Sequence, residues 1–338
     1  MDSPWADSVQ VRVPPRLRSG DGVRVIAPSR SLALIDERQR ELAAGRLAAL
    51  GLEVSFGRHA LGRDEFDSTS VEARLADLAE AFADPAVHAI LTAIGGCNAN
   101  QLLRHLPFEL IAAHPKVLCG YSDVTVLLNA ITARTGLTTY HGPHFATFGM
   151  PGGNGYTEER FRACLFDGGP LAVRPAEAWS GDRWWEAGPC RYLANPGPFA
   201  ITAGEAEGRV FGGDLSSLAL LHGTGLLPPL GGALLLLESA AINGRRTLWH
   251  FGRLLQALVH QPGFERVRGL AIGRFPVEAE VEPRHLVELV RRHPELRRVP
   301  VAAGFDFGHT SPQITFPIGG RAALRCGPSS VELELLEH

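Results

Sequence analysis

The stretch that most constrains this chain is residues 116–129, Lys-Val-Leu-Cys-Gly-Tyr-Ser-Asp-Val-Thr-Val-Leu-Leu-Asn. An apolar run, Val117-Leu118-Cys119, meets Gly120-Tyr121-Ser122-Asp123, and an apolar-periodic segment begins at once. This is the pattern of a strand, a tight turn and a helix, with a serine at the apex. A serine so placed can project its hydroxyl into solvent while the next backbone N–H points toward the helix start, where negative charge is favoured. Ser and Asp are also ordinary helix N-cap residues, and local sequence alone leaves both readings open.

The surrounding pattern places that turn in a larger frame. Short β-rich runs at 23–27, 54–56, 89–94 and 117–119 alternate with helical periods at 38–50 and 71–82 and a helix start at 100–103. Such alternation predicts an α/β fold whose N-terminal sheet is mainly parallel and doubly wound, with helices on both faces. Ligand sites in such sheets lie at the carboxyl ends of the strands, where Pro28-Ser29, Gly95-Gly96 and Ser122 all fall. Residues 151–198 are rich in glycine, proline and tryptophan and read as a linker with a long surface loop. Strand and helix signals return at 234–237, 248–259, 269–272 and 283–292, and predict a second α/β domain. The expected division is 1–165 with the serine, 166–200 as linker and tryptophan-rich loop, and 201–338.

Composition excludes several function classes. A formal charge of −3 over 338 residues, with mixed signs, gives no electrostatic case for nucleic acid or a membrane surface. The five cysteines, Cys97, Cys119, Cys164, Cys190 and Cys326, form no C-x-x-C pair, which favours free thiols in a reducing compartment. No signal-peptide pattern and no apolar stretch of membrane-spanning length is visible, so a cytoplasmic location is expected. Gly95-Gly96-Cys97-Asn98 lacks dinucleotide-binding spacing. His141-Gly142-Pro143-His144 lacks an acid or cysteine to complete a metal set. Neither a cofactor nor a metal is expected.

A serine hydroxyl needs an adjacent base to become a nucleophile, usually a histidine held by a carboxylate. Among thirteen histidines, His309 stands out: it follows a strand signal at 299–303 and lies in Gly304-Phe305-Asp306-Phe307-Gly308-His309-Thr310. Glu238 ends the apolar run Ala233-Leu234-Leu235-Leu236-Leu237, and a carboxylate at the edge of a buried strand requires a partner. His309 would serve, as would Arg245 or Arg253. Asn98 and Asn100, just after the glycine turn, suit either a substrate carboxylate or amide, or the start of the following helix.

Gly120-Tyr121-Ser122-Asp123 resembles the nucleophile motif of the LD-carboxypeptidase family of serine peptidases. Ile94-Gly95-Gly96-Cys97-Asn98-Ala99-Asn100, Gly212-Gly213-Asp214-Leu215 and the segment around His309 match it in order, over residues 20–318. With Tyr140-His141-Gly142-Pro143, the resemblance is closer to the microcin C immunity peptidases than to murein-trimming enzymes. It implies Ser122 as nucleophile, Glu238 as orienting acid and His309 as general base. It also implies an oxyanion hole from the backbone N–H of Asp123 and of the Gly95-Gly96 turn. Trp184 and Trp185, in the polar loop 179–185, would stack on an aromatic leaving group, or else pack the linker or a dimer contact. The implied substrate is a small peptide or peptidyl-nucleotide amide and the implied assembly a homodimer. A murein tetrapeptide substrate, or a binding protein that has lost turnover, are the rival readings. Two departures bear on pocket charge: Asp214 stands where the family usually has asparagine, and Ser239 follows Glu238 where a second acid is common.

Overall fold

Val23, Val25 and Ile26 of β1 (Gly22–Ile26) are all buried, because the strand lies inside a sheet covered on both faces. From it the chain alternates: α1 (Glu37–Ala49), β2 (Glu53–Phe56), α2 (Val71–Ala83), β3 (Val87–Thr92), α3 (Phe108–Ala113), β4 (Val117–Gly120), α4 (Thr125–Thr135) and β5 (Thr139–His141). The computed structural model describes residues 11–152, 154–182 and 190–338. The helix starts are written locally: Asp36 accepts from Gln39 N at the head of α1, and Ser70 from Ala73 N at the head of α2. The end of α2 is closed from another element. Lys116 is 8 % exposed, and its ammonium donates to the carbonyls of Ala81, at 3.1 Å, and Asp84. Strands β5, β4, β3, β1 and β2 run parallel in that order, and Phe316–Ile318 adds an antiparallel edge beside β5.

Later elements are α5 (Phe145–Phe148), α6 (Gly155–Leu165), β6 (Leu171–Ala172), β7 (Ala178–Trp179), β8 (Leu193–Ala194), β9 (Phe199–Thr202) and β10 (Gly204–Asp214). They continue with α7 (Leu215–Ala219), β11 (Ala233–Glu238), α8 (Arg246–Val259), β12 (Gly269–Gly273), α9 (Pro283–Arg291) and β13 (Val301–Phe305). The edge strand Phe316–Ile318 is β14, and β15 (Arg321–Cys326) and β16 (Val331–Glu337) close the chain. The second sheet has eight strands in the order β6-β16-β15-β10-β11-β12-β13-β9. Its centre, β10 to β13, is parallel and its flanks are antiparallel. The stretch read as linker and loop is more structured than its composition suggested: β6 pairs with β16, and β7 with β8 in a two-stranded ribbon.

The two sheets are locked where the serine's helix meets β10. Asn129 of α4 is buried; its Nδ2 donates to Gly212 O at 2.7 Å and its Oδ1 accepts from Gly212 N at 3.2 Å. A Cβ on Gly213 (φ +109) would stand 2.6 Å from Thr125 Oγ1, so this contact requires glycine. Losing Asn129 would leave two buried backbone groups unpaired, a cost of about 1–3 kcal/mol for each. The carboxyl ends of both parallel sheets therefore open on one crevice.

Candidate active site

Three side chains from distant segments meet in that crevice. Ser122 follows β4 at φ +59, a left-handed conformation costing about 1–3 kcal/mol in a residue with a side chain. A short 3-10 turn, Ser122–Val124, precedes α4, so the α-helix begins three residues after the serine. The hydroxyl of Ser122 lies 3.0 Å from His309 Nε2, and His309 Nδ1 lies 2.7 Å from Glu238 Oε2. Glu238 ends β11 with no exposed surface, and His309 sits on the loop after β13. That loop fits because Gly308 (φ +101) has no side chain: a Cβ there would stand 2.5 Å from Glu238 Oε2. Of the partners open to Glu238 in sequence, the structure brings it His309.

The electrostatics suit a base that becomes an imidazolium. Burial raises the Glu238 carboxyl, and the facing His309 pulls part of that back. Burial alone would push His309 down, but Glu238 outweighs it, by charge and hydrogen bond, with Asp214 adding, and the net shift is upward. Tyr121 packs edge-on to His309, ring centroids 5.3 Å apart, and against His144 at 4.3 Å. His141 is held neutral, lowered to about 3 by burial first and the His309 charge second. The sequence reading took no role from Tyr121, His141 or His144; nothing in local spacing shows three aromatic rings packing together behind one imidazole.

Gly95 stands over the serine. A Cβ at that position would lie 2.9 Å from both Ser122 Cβ and Oγ. Gly96 is pressed in the same way against the Ser29 hydroxyl. Asp123, weighed as a helix cap, does not cap α4, which has no side-chain cap. Its Oδ2 instead accepts from the backbone N–H of Asn98 and Ala99, each at 2.9 Å, and from Ser29 Oγ. Asn98 is 8 % exposed, its Oδ1 3.4 Å from Ser29 Oγ, while Asn100 is half-buried on the 3-10 turn beyond. Behind this turn the buried Arg74 donates to Pro28 O and Asn98 O. Pro28-Ser29 was legible as a strand end; Arg74, on a helix face, carried no such signal.

Two family models account for most of the chain: the LD-carboxypeptidase N-terminal domain over residues 23–142 and the LD-carboxypeptidase C-terminal domain over residues 207–324. The chain belongs to the LD-carboxypeptidase family. It is 43% identical over 324 residues to YocD of Bacillus subtilis, which bears a carboxypeptidase name, covering 96% of this chain and 99% of that one. A second Bacillus subtilis protein, named as a murein peptide carboxypeptidase, is 30% identical, with 95% and 94% covered. The microcin C7 self-immunity protein MccF of Escherichia coli is also 30% identical, with 81% of each chain covered. Among solved structures, an MccF-like protein from Bacillus anthracis superposes with a TM-score of 0.96 at 43% identity, covering 97% of this chain and 100% of that chain. MccF in complex with glutamyl sulfamoyl guanosine superposes at 0.85 and 26% identity, covering 96% and 98%. Like its named relatives, this member of the family is a carboxypeptidase.

Two of the positions singled out in the sequence lie beside the triad of this LD-carboxypeptidase. Asp214 is buried at the end of β10 and caps α7 through Ser217 N. Ser239, after Glu238, turns its hydroxyl to Ala240 O at 3.0 Å. Among the described residues, Asp214, Glu238 and His309 form the one grouping of metal-type ligands, and its histidine and glutamate are already hydrogen-bonded to each other. Trp184 and Trp185 lie outside the described residues, but the root of their loop does not. Ser180 and Ser311 exchange backbone hydrogen bonds of 2.7 and 2.9 Å, two residues beyond His309. Asp306, three residues before His309, accepts from Ala176 N, Asn195 and the buried Arg274, whose guanidinium lies 4.9 Å from the Trp179 ring centroid. A cavity of about 570 Å³, lined by Trp179, Arg245, Phe275 and Val277 among others, opens beside this root.

Proposed function

We propose that the protein is a serine carboxypeptidase that cleaves an amide next to a free carboxyl terminus through Ser122, His309 and Glu238. The observation that carries this reading is the hydrogen-bonded chain from Ser122 Oγ through both nitrogens of His309 to Glu238 Oε2, spanning 3.0 and 2.7 Å. Ser122 Oγ attacks the scissile carbonyl carbon as His309 Nε2 takes the hydroxyl proton. The backbone N–H of Asp123 and of the Gly95-Gly96 turn receive the negative oxygen. His309 returns the proton to the leaving nitrogen, the C–N bond breaks, and an acyl-enzyme remains on Ser122. Water, deprotonated by the same imidazole, releases the acid.

The substrate we favour is a microcin-C-like amide, a peptidyl or aminoacyl nucleotide, and the physiological meaning would be immunity to or detoxification of such a compound. Support comes from MccF, solved with glutamyl sulfamoyl guanosine, and from the loop of Trp184 and Trp185 being rooted on the His309 segment. The relative named for murein peptide is the ground for a second reading, a murein tetrapeptide substrate. Asn98 and Asn100 are proposed substrate contacts, and we expect a cytoplasmic homodimer. Mass spectrometry of a panel holding an aminoacyl sulfamoyl adenosine and a murein tetrapeptide tests the proposal. Faster cleavage of the nucleotide conjugate supports it, faster cleavage of the tetrapeptide replaces it with the second reading, and turnover of neither refutes both.

A further inference from the structure

Asp214 and Glu238 are register partners at the ends of the adjacent parallel strands β10 and β11. One oxygen from each carboxylate and one ring nitrogen of His309 all lie within 4.8 Å of one another. Both acids are buried, Glu238 completely, and among the described residues Glu238 Oε1 has no hydrogen-bond partner while Oε2 holds His309. Asp214 spends its Oδ1 on Ser217 N and Ser217 Oγ, each at 2.8 Å. That is an N-cap, and asparagine or serine would make it as well. What aspartate adds is charge.

We infer that Asp214 is a positioning residue for the proton transfer, a second carboxylate that stabilises the His309 imidazolium beside Glu238. The inference rests on His309 being the base of the reading above. Among the described residues, the charges that act on His309 are Glu238 and Asp214, while the Arg30 guanidinium lies further off, donating to Gly95 O at 3.1 Å and acting on His144. Tyr121, from the turn after β4, packs edge-on to the ring, and its hydroxyl is raised to about 12 by burial first and the Glu238 charge next. His141 at the end of β5 and His144 just beyond are both pushed down, by burial first and by the His309 charge next. Among the described residues, the positive charge that forms on His309 therefore meets two acids and three uncharged rings, with Arg30 beyond His144. Two carboxylates this close also repel each other, and Asp214 contributes to raising Glu238.

The sign follows from which form of His309 works. The free base accepts the serine proton, and neighbouring negative charge holds the protonated, idle form to higher pH. Removing the Asp214 charge should move the acid limb of the activity profile to lower pH. The same change withdraws support from the imidazolium in the transition state, so the plateau above the limb should fall, by roughly tenfold. A residue that merely capped α7 would move neither.

The test is the rate of labelling by a fluorophosphonate, followed from acid to alkaline pH, in wild type, Asp214→Asn, Asp214→Ser and Ser122→Ala. A fluorophosphonate reports the activated serine without requiring the natural substrate. Both Asp214 variants keep a capping side chain, and thermal melts identify any that fails to fold. A lower acid limb with a lower plateau in the folded Asp214 variants supports the inference. Profiles that superpose on wild type, or an acid limb displaced to higher pH, overturn it. Labelling that survives Ser122→Ala, or that is absent from wild type, overturns the triad reading and this inference with it.

Discussion

The Ser29 hydroxyl donates to the Asp123 carboxylate across 2.5 Å, tying the turn after the first strand to the residue that follows the nucleophile. The same oxygen takes the N–H groups of Asn98 and Ala99, so one carboxylate sets the height of the Gly95-Gly96 turn over Ser122. Three donors on one buried acceptor are strong as a set and expensive to leave unpaired. Asp123→Ala should lower kcat by roughly 10- to 100-fold with KM changed less, and destabilise the fold by about 1–3 kcal/mol. Asp123→Asn keeps an acceptor oxygen and should recover part of kcat. Steady-state kinetics and urea melts on both variants check this; a stability loss with no change in kcat would confine Asp123 to the fold.

Ser122→Ala should fold normally and lose about 10⁴- to 10⁶-fold in turnover. His309→Ala and Glu238→Ala should each cripple the enzyme, while the double variant is little worse than the poorer single one. Residues that act as a unit behave in this non-additive way. Glu238→Ala carries a second expectation, because it leaves a cavity beside a half-buried imidazole and should also lower the melting temperature. Single-turnover assays of all four proteins decide it: losses from His309 and Glu238 that multiply fully would show that the pair does not work together.

Gly95→Ala offers a test that leaves the triad's own atoms untouched. Its new methyl would sit 2.9 Å from Ser122 Oγ and Cβ, closer than real contacts allow, so the serine or the turn must shift. A misplacement of about 1 Å at the reacting atoms is enough for a loss near 100-fold. Thermal stability should move far less than activity. Activity within a factor of two of wild type would show that the turn has room the structure does not display.

The tryptophan loop separates the two substrate classes. If Trp184 or Trp185 stacks on a nucleobase-like leaving group, alanine there should weaken that substrate by about 1–3 kcal/mol. A murein peptide ending in D-alanine has no ring to stack and should hardly register the change. The measurement is kcat/KM on both substrates for wild type, Trp184→Ala and Trp185→Ala. Equal losses on both would return these side chains to packing.

Much of this architecture was legible because it is written locally. The strand, turn and helix around Ser122 needed only an apolar run, a glycine and a helical period, and the acid on β11 stood out because it ends the apolar run 233–237. What escaped sequence reading depends on contacts between distant segments. Residues 316–318 close the first sheet from the far end of the chain, against β5, and three residues of β-rich sequence do not declare their partner. Asp123 looks like a cap residue and caps the wrong helix in that sense, holding the 98–99 turn instead of its own. Arg74 is one of many arginines in the sequence until the fold puts Pro28 O and Asn98 O within its reach. The ribbon in the region read as a loop escaped because strands of two residues each are too short to show an alternating pattern.

Lys116 has a practical consequence. It is the one lysine in this sequence, and its ammonium is folded under the last turn of α2. Apart from the chain's α-amino group, an amine-directed reagent meets a folded surface whose cations are guanidinium groups, which it does not acylate. Uptake of label at Lys116 then requires the end of α2 to lift away. The mass gained by the peptide that holds Lys116 becomes a clock for that opening, read at the one side-chain amine in a background of arginine.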